Sequence, residues 1–283
     1  MTTSTFVFKQ SLVNLPSMQP VYDLFRRCES ADGFMPKIYW HTLHERQNDH
    51  NALDYLCFVD DKLVGMMNIL FFSDVAELTI LVDPDFRGQK IFKKFLMIGT
   101  TKLKSYVVSH YMLISPDKCE RPDAAWDHDE VEMRAPDTVT LVKPVLTLQR
   151  ATPEDADILA GIHIECFEKP DRNAMRERFA TTLLEPNRKA YIATNENGEV
   201  IGKVHAREDF NRVYVHDVGI KKAFRQQGYG KSLMLTWLKE YRPDYGDKPI
   251  AVEVLGNNTA ALKLYESCGF TLTNNYHFWK FAL

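Results

Sequence analysis

The sequence has few of the features that would place it outside the ordinary globular class. Its five cysteines are scattered and form no CxxC pair, which favours reduced thiols in a cytoplasmic protein over a disulfide framework. No apolar run approaches the roughly 18 residues that are needed to span a bilayer. The N-terminal residues also lack the basic and apolar pattern of a secretory signal. We therefore expect neither a membrane segment nor a secreted product.

A large excess of charge of either sign is also absent. The 283 residues carry a formal net charge of −3, with 45% hydrophobic and 26% charged residues. This balance is typical of a soluble globular protein and gives no broad basic surface for nucleic acid. The length exceeds that of the commonest single domain, so two domains are expected.

What the sequence does contain is a weak internal repeat with a period of about 140 residues. In each half, two strands joined by a tight turn precede a third strand, a short loop and a helix. The turns lie at 60–61 and 195–198. This order predicts an α/β (α+β) fold of two tandem domains, 1–143 and 144–283, each with a mixed, mostly antiparallel sheet flanked by helices.

A glycine-containing loop follows the third strand of the second half. Arg225, Gly228 and Gly230 form the pattern Arg-x-x-Gly-x-Gly between a strand and a helix. Because glycine permits unusual φ angles and has no side chain, consecutive backbone N–H groups can close on an anion. The positive end of the following helix strengthens such a site. A loop of this kind standing alone is more often an ordinary strand-to-helix turn.

A second motif supplies the missing context. Residues 257–270 match Asn-x-x-Ala-x-x-Leu-Tyr-x-x-x-Gly-Phe at every marked position, beginning at Asn258. Together with the loop, this segment resembles the GNAT superfamily of N-acetyltransferases. The resemblance implies direct transfer of the acetyl group of acetyl-CoA to a primary amine, such as a small amine, an amino acid or a peptide N-terminus.

The same resemblance implies a set of cofactor-binding residues. Backbone amides of the loop would hold the CoA pyrophosphate, and the main chain of 218–220 would run beside the pantetheine arm. The set comprises Val218, Gly219, Ile220, Arg225, Gln226, Gln227, Gly228, Tyr229, Gly230, Lys231, Ser232, Asn258 and Ala261. Since the family typically transfers the acetyl group directly, no cysteine nucleophile is expected.

Tyr265 is the expected general acid. It occupies the motif position at which many members of the family place a tyrosine hydroxyl near the CoA sulfur. An alkyl amine is mostly protonated at neutral pH, so a base must also remove a proton before the amine can attack.

Two residues compete for the role of base. His216 lies on the strand before the loop, on the same face as Ile220 unless a bulge intervenes, in a setting that resembles arylalkylamine N-acetyltransferases. Glu253 precedes the second motif in a way that resembles ribosomal-protein alanine acetyltransferases. A solvent relay with no single base also stays open, and Asp217 is expected on the strand face opposite His216.

The first half resembles the same fold with an impaired loop. It keeps Arg87 and Gly88, but Lys90 and Phe92 occupy the two signature glycine positions. The Lys90 side chain is expected to obstruct the approach of a pyrophosphate, and no second motif follows the strand at 111–115. This half is predicted to be catalytically silent, an architecture similar to that of mycothiol synthase.

Other functions and partners receive less support. No metal site is expected, because the acidic run 127–130 is predicted to be a solvated turn and the other histidines lack ligand spacing. A non-catalytic acyl-CoA-binding or sensing protein would not need Tyr265 or a base. A tRNA-dependent aminoacyl transferase on a related fold would not need the CoA signature. A tandem repeat imitates a dimer within one chain, which favours a monomer.

Overall fold

The structure is a computed structural model that describes residues 5–11, 13, 18–45, 52–115, 123–167 and 171–283. The chain divides into two compact units. The first comprises Met1–Glu130 together with Asn274–Leu283, and the second comprises Val131–Thr273. The units therefore do not follow the order of the chain strictly, because residues 274–283 belong to the first unit.

The first unit is a mostly antiparallel sheet flanked by helices. Its neighbouring strands follow the order β1-β2-β3-β4-β5-β12, and β4 and β5 run parallel. Its elements are β1 (Val7–Gln10), α1 (Met18–Asp32), α2 (Trp40–Glu45), β2 (Ala52–Val59), β3 (Lys62–Phe72), β4 (Val75–Val82), α3 (Ile91–Leu103), β5 (His110–Ser115), the start of β6 (Ala125–Arg134) and most of β12 (Thr271–Ala282).

Alternation along the strands gives the first unit two cores. Met67 and Ile69 of β3 pack in one cluster with Phe95 of α3. Met66 of the same strand packs in the other cluster with Trp40. Because successive side chains of a strand point to opposite faces, α3 covers one face of the sheet and α1 with α2 covers the other.

The second unit repeats this arrangement. Its strands follow the order β6-β11-β10-β9-β8-β7, with β10 and β11 parallel. Its elements are the end of β6, β7 (Leu146–Arg150), α4 (Ala156–Phe167), α5 (Arg172–Thr182), β8 (Arg188–Asn195), β9 (Val200–Glu208), β10 (Val213–Ile220), α6 (Tyr229–Tyr241), β11 (Ile250–Leu255), α7 (Thr259–Ser267) and the start of β12.

Two clusters again lie on the two faces of the sheet. Tyr191 of β8 packs with Trp237 of α6 and Tyr265 of α7. Ala190 and Ile192, its neighbours on β8, pack with the helices α4 and α5. The predicted fold class, with its repeated hairpins and flanking helices, is confirmed by these two units.

One local prediction was wrong. The acidic run 127–130 forms part of β6 and is not a turn. Asp129 lies 2.6 Å from Nδ1 of His277, and Glu130 lies 2.6 Å from Nζ of the buried Lys37. These partners come from distant parts of the sequence, so local composition alone could not reveal that the charges are paired.

Strand β10 contains a β-bulge. His216 lies opposite His205 of β9, but the next pair joins Gly219 to Lys203, so two residues of β10 face one residue of β9. Asp217, inside the bulge, has a left-handed backbone conformation with φ 49°. The corresponding strand of the first unit, β4, pairs with β3 from Val75 to Val82 without any shift.

Two glycines make room for this bulge. A β-carbon on Gly202 would lie 2.4 Å from the carbonyl oxygen of Gly219 and 2.8 Å from Cδ1 of Ile220. A β-carbon on Gly219 would lie 2.9 Å from Sγ of Cys166 in α4. The bulged backbone is therefore held between β9 and α4, where no side chain fits.

None of the helices in the described residues combines the length and the apolar character that crossing a bilayer requires.

We predict that Gly202→Ala destabilises the protein by about 1–3 kcal/mol, because the new methyl group must push the β10 backbone away from β9. Urea unfolding measures the change. The matched control is Gly161→Ala in α4, where the nearest atom is the flexible Nη2 of Arg172 at 3.6 Å. That substitution should change stability by no more than about 1 kcal/mol, in the stabilising direction. Equal losses in both variants would contradict this account of the bulge.

Candidate functional site

The loop after β10 has the conformation of an anion-binding turn. A short 3₁₀ turn (Lys222–Phe224) leads into it, and α6 begins at Tyr229. Gln226 (φ 61°) and Gly228 (φ 87°) are both left-handed. The first bond inside the helix runs from the N–H of Ser232 to the carbonyl oxygen of Gly228, at 3.1 Å. The preceding helical amides, 229–231, have no carbonyl four residues back within the helix and can donate to a ligand.

Arg225 fixes this loop to the rest of the unit. Its Nε donates to the carbonyl oxygen of Ile220 at 2.9 Å, and its Nη2 donates to the carbonyl oxygen of Cys166 at 3.2 Å. The guanidinium thus bonds the end of β10 and the end of α4 together. In this arrangement Arg225 positions the loop through main-chain oxygens.

Gly230 lets the loop approach the helix that carries Tyr265. A β-carbon on Gly230 would lie 3.4 Å from Cδ1 of Leu264, the residue before Tyr265. The two sequence motifs are therefore in contact, although 27 residues separate Gly230 from Asn258 in the sequence.

The strands β10 and β11 diverge beside the loop. They pair only at Val213 with Ile250 and at Tyr214 with Ala251. Beyond the bulge, Gly219 and Ile220 pair with β9 on one side. Their other side has no pairing with β11, so the main chain of 218–220 presents an open strand edge at the position predicted for the pantetheine arm.

Tyr265 lies in α7 and is almost fully buried. Its ring packs against Phe270, with ring centroids 5.4 Å apart. Burial raises the pKa of Tyr265 well above its ordinary value, and the neighbouring Cys268 acts in the same direction. The phenol therefore keeps its proton across the neutral range.

The other predicted site residues differ in their partners and in their exposure. Asn258 is the N-cap of α7, and its side-chain oxygen accepts a hydrogen bond from the N–H of Ala261 at 3.1 Å. The hydroxyl of Ser232 donates to the carbonyl oxygen of Pro144. Because its amide is also bonded to the carbonyl oxygen of Gly228, Ser232 already uses both of its donors inside the protein. Glu253 is exposed on β11.

The bulge overturns the prediction for Asp217. Strict alternation placed its side chain on the face opposite His216, but the carboxylate lies on the same side: Oδ1 is 3.8 Å from Nδ1 of His216. The extra residue in β10 breaks the alternation at this point. His216 itself is partly exposed, with 31% of its side-chain surface accessible.

Sequence reasoning missed three buried residues beside this pair. Oδ2 of Asp217 lies 3.5 Å from Nζ of Lys203, 3.7 Å from Nδ1 of His163 and 3.9 Å from Nδ1 of His205. Lys203 and His205 stand two positions apart on β9 and so share a face. Two polar residues at this spacing within the apolar run 200–206 of β9 were the signal that could have revealed them.

The charges of this cluster depend on one another. Burial acts to raise the pKa of Asp217, but His216, Lys203 and His205 outweigh it and hold that pKa well below its usual range. Burial lowers the pKa of Lys203 to about 8, with Asp217 opposing the change. Burial also lowers the pKa of His216 from its ordinary 6.5, again opposed by Asp217. At neutral pH the cluster therefore contains an anionic Asp217, a cationic Lys203 and a neutral His216.

The spacing of His205, His216 and Asp217 is compact enough to raise the question of a metal ion, since their ligand atoms lie within 4.8 Å of one another. However, the ammonium of Lys203 already lies 3.2 Å from Nε2 of His205. A second cation beside it would be repelled, so this arrangement favours an internal ion pair.

The first unit keeps the shape of the loop although it lacks the two signature glycines. Gly88 (φ 77°) and Lys90 (φ 64°) are left-handed, as Gln226 and Gly228 are in the second unit. Nε of Arg87 donates to the carbonyl oxygen of Val82 at 3.2 Å, five residues earlier, in the same way that Arg225 bonds Ile220. What differs is the strand before the loop, because β4 pairs with β3 without the bulge that β10 contains. The segment 116–122, where no second motif was found, lies outside the described residues.

Two relatives resemble parts of the chain in sequence. Over 114 residues the chain is 27% identical to the uncharacterized N-acetyltransferase YdgE of Bacillus subtilis (strain 168), which covers 39% of this chain and 71% of that protein. Over 128 residues it is 25% identical to the ribosomal protein bS18-alanine N-acetyltransferase of Haemophilus ducreyi, which covers 40% of this chain and 88% of that protein.

Solved structures resemble the whole chain in fold. A GCN5-related N-acetyltransferase from Sphaerobacter thermophilus superposes with a TM-score of 0.75 at 15% identity, covering 98% of this chain and 95% of that one. A tandem GNAT protein from the clavulanic acid biosynthesis pathway superposes with a TM-score of 0.69 at 13% identity, covering 98% of each chain.

The model of the Acetyltransferase (GNAT) family matches the chain twice, at residues 18–106 and 156–270. The two matched regions fall in the two halves of the internal repeat and together make up well over half of the sequence. The chain therefore belongs to the acetyltransferase (GNAT) family.

Proposed function

We propose that the chain transfers the acetyl group of acetyl-CoA directly to a primary amine, and that the second repeat, residues 144–283, carries the reaction. The observation that supports this most is the open edge of β10 running into the loop at 225–231. An extended thioester arm fits the edge, and a diphosphate fits the amides at the start of α6. The acceptor is a small amine, an amino acid or a peptide N-terminus.

The residues present suit this cofactor. Gly228 is left-handed, and a β-carbon there would already lie 3.0 Å from Cδ of Pro144, so a side chain would both strain and fill the turn. The amides of Tyr229, Gly230 and Lys231 would hold the diphosphate. The main chain of 218–220 would hold the pantetheine arm, with Asn258 at the head of α7 nearby.

When bound, acetyl-CoA supplies the acetyl group as an activated thioester. Nδ1 or Nε2 of the neutral His216 takes a proton from the acceptor ammonium, directly or through water, which leaves an amine able to attack. Attack would form the C–N bond and break the C–S bond. Oη of Tyr265, which holds its proton until then, would give that proton to the leaving sulfur, and the remaining proton of the attacking nitrogen would restore the phenol through solvent. The left-handed turn, the open edge and Arg225 keep these groups in a fixed relation, which lowers the entropic cost of reaction.

We assign His216 the role of base ahead of Glu253. His216 lies just after the part of β10 that pairs with β11, directly beside the bulge. Its lowered pKa leaves the ring neutral near pH 7. The exposed position of Glu253 on β11 gives no comparable reason for a role in proton transfer. We assign no catalysis to the first unit, since β4 lacks the bulge in its pairing with β3 and Lys90 and Phe92 replace the two signature glycines.

The proposal is tested by measuring CoA release with a free-thiol reagent, using a panel of alkyl amines, amino acids and peptides as acceptors. Thiol release that depends on both an amine and acetyl-CoA supports transfer. Tight acetyl-CoA binding with no release on any amine would instead favour the non-catalytic, acyl-CoA-sensing alternative.

We predict that Gly228→Val weakens acetyl-CoA binding at least tenfold, because a β-branched residue cannot adopt the left-handed turn without strain. Isothermal titration calorimetry measures the affinity and the number of sites. Lys90→Val makes the matched change at the equivalent position of the first unit and should leave the affinity unaltered. A larger effect at Lys90 than at Gly228 would contradict the proposal, because it would place acetyl-CoA in the first repeat.

We predict that Tyr265→Phe lowers kcat by about 10²-fold or more while the affinity for acetyl-CoA changes little, because only the proton-bearing oxygen is removed. Steady-state kinetics with the best acceptor of the panel measure both quantities. The control is Tyr241→Phe in α6, whose hydroxyl bonds the carbonyl oxygen of Leu148. Unaltered kcat in Tyr265→Phe would remove this residue from the mechanism.

The pH dependence of kcat/KM identifies the base. The protonated imidazole of His216 cannot accept a proton, so activity should be lost as pH falls through its pKa, which lies below 6.5. His216→Ala should abolish this acidic limb and lower kcat/KM by about 10²-fold or more. Glu253→Ala should leave the limb in place. If neither substitution alters the profile, a solvent relay replaces the assigned base.

A further inference from the structure

Lys203, in β9, has no exposed surface, and the reaction proposed above gives it no role. Its Nζ lies 3.1 Å from Nδ1 of His163, 3.2 Å from Nε2 of His205 and 3.5 Å from Oδ2 of Asp217. Burying an ammonium ion is costly unless it is paired. Lysine at this position therefore calls for a reason beyond packing.

Helices α4 and α5 enclose Lys203 on the side away from the strand. The ammonium lies 4.5 Å from the ring centroid of Phe179 and 5.7 Å from that of Phe167. The titratable and charged groups that face it are His163 and Cys166 from α4, Arg178 from α5, His205 from β9 and Asp217 from β10. Among these groups, Asp217 supplies the carboxylate that balances the ammonium.

Lys203 also determines which nitrogens of two histidine rings carry a proton. An ammonium ion only donates hydrogen bonds, so Nδ1 of His163 and Nε2 of His205 must each present a lone pair. Both rings are therefore neutral, and the proton of His205 sits on Nδ1. That atom lies 3.9 Å from Oδ2 of Asp217, so the proton faces the carboxylate.

The two oxygens of Asp217 are divided between two partners. Oδ2 faces Lys203 at 3.5 Å, whereas Oδ1 faces Nδ1 of His216 at 3.8 Å. One carboxylate thus stands between a buried cation and the residue assigned as base. His216 is also subject to the charges of Arg207 and Arg188, and its ring centroid lies 5.6 Å from that of His205.

We propose that Lys203 is a positioning residue for acetyl transfer, which offsets the charge of Asp217 so that His216 remains neutral and able to accept a proton. This inference rests on the proposed function. Lys203 is too deeply buried to contact an acceptor, so it acts on the reaction through Asp217. Without the ammonium, the carboxylate would act on His216 uncompensated and would favour the protonated ring.

The experiment compares Lys203→Met, Asp217→Asn and the double variant. Methionine keeps the length and most of the volume of lysine but removes the charge. We expect the pKa of His216 to rise by about one unit in Lys203→Met and to fall by a similar amount in Asp217→Asn. In the double variant it should return close to the wild-type value, because both charges have been removed.

Two readouts follow these changes. NMR titration of the His216 ring, without substrate, measures the pKa directly. The acidic limb of kcat/KM should move with it, so that Lys203→Met is about tenfold slower than wild type on the acidic side and much closer to wild type at pH 8. Lys189→Met is the control: this lysine of the adjacent strand β8 pairs with Asp244 at 3.7 Å and should leave His216 unaltered.

The outcomes separate this inference from the proposed function. An unaltered or lowered pKa of His216 in Lys203→Met overturns the role of Lys203, whatever the activity. Equal and pH-independent losses of activity in all three variants also overturn it, since they indicate a structural role alone. If Lys203→Met fails to fold, Asp217→Asn still decides the matter, because an unaltered His216 pKa there removes the link. Absence of thiol release from the wild type would instead overturn the proposed function, which the NMR titration does not require.

Discussion

Where β10 gains a residue relative to β9, the backbone of Gly219 is held against Gly202, and the second unit's site depends on this close approach. The extra residue ends regular pairing at His216 and turns Asp217 toward the same side. After the bulge, Gly219 and Ile220 stay paired with β9 and have no pairing with β11. Side chains are excluded on both sides of the bulge, at Gly202 of β9 by the carbonyl oxygen of Gly219 and at Gly219 by Cys166 of α4. Packing, rather than hydrogen bonding alone, therefore determines where β10 can shift relative to β9.

The two repeats show which parts of the fold are general and which are specific to one unit. Both place a left-handed pair of residues in the loop before a helix, and both tie that loop to the preceding strand through an arginine Nε. Both also bury a lysine against one carboxylate and aromatic faces, Lys37 with Glu130 in the first unit and Lys203 with Asp217 in the second. The bulge is the difference. Both units also open a strand edge before the loop, since β4 pairs with β5 only from Val75 to Leu78, as β10 pairs with β11 only at Val213 and Tyr214. The loop and the open edge are thus properties of the repeat, whereas the bulge with the buried group around Asp217 belongs to the second unit.

Much of this could be predicted from the sequence because it depends on local signals. Strand alternation and turn residues predicted the hairpins, and the two motifs predicted the family. The sequence did not locate the bulge, since a glycine such as Gly219 is compatible with one but does not say which residues of β10 lose their regular pairing. For that reason Asp217 was assigned to the wrong face, and the buried group around Lys203 was missed. Nor could local composition identify the strand at 127–130, where Lys37 and His277, from far away in the chain, contact the carboxylates of Glu130 and Asp129.

The membership of residues 274–283 in the first unit constrains how that unit can form during synthesis. Its β5 pairs with residues His277–Ala282 of β12, which leave the ribosome only after the whole of 131–273. The N-terminal half therefore emerges with one strand position unfilled and its β5 edge without a partner. Such long-range pairing slows folding, and an unpaired edge is prone to incorrect association. The unit that is made first is consequently completed last.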